Sequence, residues 1–207
     1  MSTYILDCET TGISKSDQVI ELAYLPCLQL EAELFTINDP ELYIKDALAE
    51  TYTERFLPSC PINQHAHAVH GINRTDLIGK KSSQNIDLPD NIKYIVGHNI
   101  SFDKRLLAQS NTTLVNKLDD VRYICTLELA RTISKNFKIE YDNHKLDTLV
   151  NHYYPDHAHN LITPLHSAAG DVVKNLLVLL KLVEHLRGIK TWDDLYDIQQ
   201  DIKKVRR

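Results

Sequence analysis

From about Ala168 to Arg187 the chain carries Val172, Val173, Leu176, Leu177, Leu179, Leu180, Val183 and Leu186 on a helical period. So broad an apolar face has to be covered, and a sheet is the natural partner for one long helix. The strands to build such a sheet lie upstream. Tyr4-Ile5-Leu6-Asp7 and Val19 to Leu25 read as strands, joined by a turn-rich segment with Gly12, Ser14, Ser16 and Asp17, which suggests an antiparallel pair. Thr51 to Leu57 alternates and stops at Pro58, and Ile92 to Val96 follows a polar loop from Gly79 to Asn91, giving a third and a fourth strand. Between them, Pro40 to Glu50 reads as a short helical insertion, and Pro61 to His70 as a helix or turn ending at Gly71. Ser101 to Ser110, Thr126 to Ser134 and Lys145 to Tyr154 complete the helices. Strands first and helices later indicate an α+β or mixed α/β fold.

With 207 residues, 43% of them hydrophobic, the chain can bury one full core. The N-terminus meets Asp7 after a short apolar run, so it lacks the apolar stretch of a secretory signal. No window approaches the length needed to span a bilayer, and the cytoplasm is the default expectation. Cys8, Cys27, Cys60 and Cys125 are widely spaced, with no Cys-x-x-Cys pair, and read as reduced and structural. A formal net charge of −5 argues against holding a polyanion by bulk positive field. Any such contact has to be local, and a bound divalent cation can supply a local charge of that kind.

Three short clusters carry reactive side chains. Asp7 and Glu9 are two apart on the first strand, so both carboxylates share a face and Cys8 points the other way. They repel each other with no basic neighbour, and a divalent cation with oxygen ligands would relieve that repulsion; a solvated strand end explains the pair equally well. In Gly97-His98-Asn99-Ile100-Ser101-Phe102-Asp103 a strand ends at Gly97, Ser101 is placed to cap the next helix, and Asp103 falls in its first turn. There the helix dipole alone would account for the carboxylate. In His166-Ser167-Ala168-Ala169-Gly170-Asp171, a spacing of five does not bring the two ends together on one ideal helix, so His166 and Asp171 meet only if the histidine lies in or before the first turn.

The order and company of the clusters go further than any one of them. Asp-x-Glu-Thr-Thr-Gly on the first strand, His-Asn-x-x-Phe-Asp after a mid-chain strand and His-x-x-x-x-Asp opening a long helix together resemble the three motifs of the DEDDh, or DnaQ-like, 3′→5′ exonucleases. Ile20-Glu21-Leu22-Ala23, Val69-His70-Gly71-Ile72 and Thr126 to Arg131 are similar to the family's intervening segments, so the likeness runs from about Thr3 to Leu186. Compact size and motif spacing look most like the exonuclease X or polymerase proofreading branch. Leu28 to Glu50 is longer than the usual hairpin, and the tail after Gly188 has no counterpart.

The resemblance implies a ribonuclease H-like α/β fold, a mixed sheet of about five strands flanked by helices; the exonuclease domain is expected over residues 1–187, and residues 188–207, outside the resemblance, are expected to form a C-terminal helical tail. It implies that Asp7, Glu9, Asp103 and Asp171 hold two Mg²⁺ or Mn²⁺ ions, a pair that would stabilise both the attacking and the leaving oxygen of an in-line displacement at phosphorus. His166 would be the general base, for which a neutral imidazole near pH 7 is suited. Thr10, Thr11, Gly12, His98, Asn99 and Phe102 would surround the terminal nucleotide of a single-stranded 3′ end. The products would be nucleoside 5′-monophosphates. DNA is the expected substrate; an exoribonuclease would differ only in contacts to the 2′-hydroxyl. A non-catalytic scaffold would be expected to have lost one of the five reactive residues, and all are present. The histidines of His65-x-His67-x-x-His70, with His152, His157 and His159, lack the cysteine partners or helical spacing of a zinc site and read as loop histidines.

Overall fold

A computed structural model describes residues 2–27, 40–158 and 166–205. Strands β1 (Ser2–Thr10) and β2 (Val19–Cys27) are followed by helix α1 (Pro40–Glu50), strand β3 (Tyr52–Arg55) and helix α2 (Gln64–His70). Then come β4 (Ile92–Gly97), α3 (Ser101–Ser110), α4 (Val115–Asp119), β5 (Arg122–Cys125), α5 (Thr126–Phe137), α6 (Leu146–Tyr153), α7 (Ala168–Glu184) and α8 (Trp192–Val205). The sheet order is β3-β2-β1-β4-β5. β1, β2 and β3 are antiparallel neighbours, while β4 and β5 run parallel to β1. The result is the ribonuclease H-like α/β architecture, a mixed five-stranded sheet between helical layers.

Alternation along β1 sets the two layers. Ile5 points into the core shared with α5, α6 and α7, whereas Leu6 and Cys8 point into the core under α3 and α4. Asp7 and Glu9 continue the Ile5 face, which places two carboxylates where the N-terminus of α7 crosses the sheet. That helix is buried nearly all round: Val172, Val173, Leu176, Leu177, Val178, Leu179, Leu180, Leu182 and Val183 are all inside. At about 1.5–3 kcal/mol for each large aliphatic side chain removed from water, it anchors the fold. It ends at Glu184, short of Arg187, because the bonds from the His185 and Leu186 N–H groups back to Leu182 and Val183 tighten the last turn, and Gly188 then takes a left-handed φ of 78°.

Three local expectations need correction. The third strand covers only Tyr52–Arg55: the Phe56 N–H still donates to the Ile20 carbonyl of β2, but the Leu57 N–H turns away to the Lys81 carbonyl. Ser101 does not cap α3. It is the first helical residue, and the chain enters through Asn99 at a positive φ of 67°, with its carbonyl accepting from the Phe102 N–H. β5 and the short helix α4 add two elements that residue patterning did not single out. His159 and part of the Leu28 to Glu50 segment lie outside the described residues.

α8 closes the exposed edge of β5. Gln199 is fully buried; its Oε1 accepts from the Cys125 N–H at 2.6 Å and its Nε2 donates to the Tyr123 carbonyl at 2.9 Å. One side-chain amide thereby does for the edge strand what a sixth strand would do. Among the described residues, no helix is long and apolar enough to cross a membrane.

Candidate active site

The three motif clusters meet at one end of the sheet. Single oxygens of Asp7, Glu9 and Asp171 all lie within 4.8 Å of one another. Asp103 joins from the first turn of α3, 3% exposed and close enough to Asp7 to raise its pKa. His166 precedes the α7 N-cap, Ser167, whose hydroxyl accepts from the Gly170 N–H. Lying outside the helix, it can fold back, and its Nδ1 sits 2.9 Å from Asp171 Oδ2. The spacing of five is bridged by the non-helical position of the histidine.

Several contacts hold this geometry. β1 and β2 place Glu21 opposite Glu9. Glu21 is buried; one oxygen accepts from Arg55 at 2.8 Å and the other from the Ala168 N–H at 3.0 Å, which fixes the start of α7 over the sheet. The His166 N–H donates to the Val69 carbonyl at 2.9 Å, tying the histidine to α2. In turn His70 binds α2 to the end of β1: its Nδ1 accepts from the Ile72 N–H, so Nε2 carries the proton and donates to the Thr10 carbonyl at 3.1 Å. Both nitrogens of His70 are thus engaged with backbone.

The carboxylates disturb one another. Asp7 is raised well above the usual carboxylate range by burial, then by Asp103, Asp171 and Glu9. Glu9 is pushed up to about 7 by burial and Asp171, and Asp103 to about 8 by burial. Asp171 goes the other way: burial works against its charge, but the hydrogen bond from His166 and the nearby Lys174 hold it below its ordinary value. His166 is raised in return, chiefly by that bond. Three acids, two of them buried and Asp7 partly so, that resist ionisation side by side and offer hard oxygen donors fit a divalent cation.

Two concavities flank this centre. A cavity of about 450 Å³ is lined by Glu9, Thr10, Gly12, Val69, His70 and Phe102 among others. A second concavity, a groove of about 600 Å³, runs past Asp7, Asn99, Arg131, Lys145, His166 and Asp171. Thr10, Gly12 and Phe102 face the first, and His98 and Asn99 the second. Thr11 faces neither; it is fully buried and its hydroxyl donates to Asp17 Oδ1 at 2.8 Å. His98 is committed internally, with Nε2 2.9 Å from the His144 carbonyl and Nδ1 3.0 Å from the Thr126 hydroxyl. Burial pulls it down to about 4, so its ring is neutral at pH 7. The motifs gave no sign of Asp147, Lys174 or the α2 wall, all of which border the acidic cluster or its cavity.

The family model RNase_T, an exonuclease, matches residues 4–179. The chain belongs to this family, the DEDDh exonucleases. Among solved structures the exonuclease is similar to exonuclease X in complex with 5′ overhanging duplex DNA, at 18% identity and a TM-score of 0.60, covering 95% of this chain and 99% of that one. It is also similar to E. coli exonuclease I in complex with an oligonucleotide, at 14% identity and a TM-score of 0.64, and to exonuclease I from Methylocaldum szegediense, at 18% and 0.62. Both exonuclease I matches cover 95% of this chain but 42% of the longer partner, so the likeness is to part of those proteins. At these identities the structural matches speak for the fold. No curated protein sequence matches the exonuclease significantly.

Proposed function

We propose that this nuclease is a metal-dependent 3′→5′ exonuclease that shortens DNA, single-stranded at its 3′ end, and releases nucleoside 5′-monophosphates. The observation that carries the reading is the convergence of Asp7, Glu9, Asp103, Asp171 and His166 between a nucleotide-sized cavity and a groove bearing two cations. Asp7, Glu9 and Asp171 would hold a divalent ion, with Asp103 helping to place a second; when bound, such ions stabilise the charge that develops on the phosphate oxygens.

The chain's own residues do the rest. Phe102, Val69 and Ala66 give the cavity an apolar wall suited to a base of any identity, while the backbone at Thr10 and Gly12 lies against it. A cavity of this size takes a terminal nucleotide and little more, which favours removal one residue at a time. Arg131 and Lys145 are exposed on the groove side, where they offer positive charge to the upstream phosphates despite the net charge of −5. His166, half-buried at the groove and free of helical hydrogen bonding, accepts the proton of the attacking water.

The test is degradation of 5′-labelled single-stranded DNA and RNA by wild type and Asp7→Ala, each with Mg²⁺, Mn²⁺ or EDTA. A metal-dependent ladder retreating from the 3′ end, absent in the variant, is expected, with DNA the better substrate. A ladder on RNA alone would reassign the substrate, and no shortening under any metal would overturn the reading.

A further inference from the structure

Lys174 lies one helical turn beyond Asp171 on α7, and its side chain is only 4% exposed. Its ammonium is in ion-pair contact with Asp171 Oδ1 and 2.7 Å from Oδ1 of Asp147, a carboxylate contributed by α6. His166 holds the other oxygen of Asp171 through Nδ1 and faces Asp147 Oδ2 through Nε2 at 3.6 Å. Both oxygens of Asp171 are therefore engaged by the protein itself, in the very carboxylate that joins Asp7 and Glu9 in the acidic trio. A cation entering the trio needs one of those oxygens, and it meets a fixed ammonium already on the carboxylate. A lysine that served only to neutralise Asp171 would be stranded, buried and unpaired, if that carboxylate were taken from it. Asp147 removes this difficulty, since Lys174 can surrender Asp171 and keep a full partner.

We propose that Lys174 is a built-in counter-ion that occupies Asp171 in the metal-free protein and yields it while remaining on Asp147 when a divalent cation binds, so that it sets metal affinity without taking part in the reaction. The inference rests on the metal-dependent reading above. Lys174 is in this sense a positioning residue: it holds the acidic cluster together before the ion arrives, and it competes with the ion afterwards.

The experiment is a calorimetric titration of Mn²⁺ alone into the whole protein, without substrate, for wild type, Lys174→Met, Lys174→Arg, Asp147→Asn and Asp7→Ala. Coupling between two binding events typically runs about 5–150-fold, so Lys174→Met should bind Mn²⁺ at least about fivefold more tightly. Lys174→Arg, which keeps the charge, should bind like wild type. Asp147→Asn, which leaves the ammonium no second anionic partner, should bind several-fold more weakly. Equal or weaker binding by Lys174→Met overturns the proposal. Should that variant fail to fold, Asp147→Asn decides: weaker binding supports the counter-ion, and unchanged or tighter binding overturns it. Asp7→Ala separates the two levels of inference, because Mn²⁺ binding that survives that change unaltered removes the metal reading itself.

Discussion

Replacing Asp103 by asparagine should stabilise the metal-free protein, and should do so more at pH 8 than at pH 5. Asp103 is 3% exposed, and burial raises its carboxyl from 3.8 to about 8 against the hydrogen bonds it accepts from its own and the Cys8 backbone N–H. An acid whose folded value lies above its unfolded value binds its proton more tightly when folded. Its contribution to stability is complete below about pH 4 and is lost as the pH rises through about 8. Those roughly four pH units, at about 1.4 kcal/mol each, set a ceiling of about 6 kcal/mol. An asparagine cannot ionise, so it escapes that loss, but its buried amide N–H group lacks a partner at a cost of about 1–3 kcal/mol. With Glu9 and Asp171 also relaxing, the net gain at pH 8 should be about 2–4 kcal/mol, or a rise in Tm of about 5–15 °C for a domain of this size. At pH 5 only about one pH unit separates the solution from the unfolded value, and the two terms nearly cancel. The assay is thermal unfolding of wild type and Asp103→Asn in EDTA from pH 5 to 8.5, repeated with Mn²⁺, which should restore wild type preferentially. An asparagine variant no more stable than wild type at pH 8, or equally favoured at pH 5, would refute the idea that the site carries an unpaid electrostatic cost.

Two other perturbations follow from the geometry. His166→Ala should lower kcat by about 10²–10⁴-fold with little change in KM, the signature of a lost general base; steady-state kinetics on a labelled oligonucleotide reads this, and a pure KM effect would point to substrate contact instead. Gln199→Ala should cost about 2–3 kcal/mol in denaturant unfolding, because it strands the buried Cys125 N–H and loosens α8 from β5, while leaving Mn²⁺ affinity unaltered.

The groove that the proposed function assigns to the upstream strand has a charge pattern of its own. Arg131 and Lys145 line the same groove as Asp7 and Asp171, so the positive charge beside the acidic cluster is local.

What the sequence determined by itself was whatever depends on neighbours in the chain. Period-two alternation put Asp7 and Glu9 on one face, the apolar run of α7 announced a buried helix, and the three ordered motifs carried the family and its fold. Short or unpatterned pieces escaped: β5 is four residues, Arg122–Cys125, too few to show alternation, and Ser101 resembled a cap until the left-handed turn at Asn99 took the entrance to α3. Only the tertiary structure could decide the rest. Nothing in the sequence singles out Asp147 or Lys174; the packing of α6 against α7 brings them together beside Asp171, with Lys174 buried and Asp147 partly exposed. Likewise α2 becomes a wall of the nucleotide-sized cavity only because His70 bonds to the Thr10 carbonyl and Val69 to His166. A side chain's chemistry and its local period are written in the chain, but its electrostatic partners are set by which elements the core brings into contact, and for this site those elements are far apart in sequence.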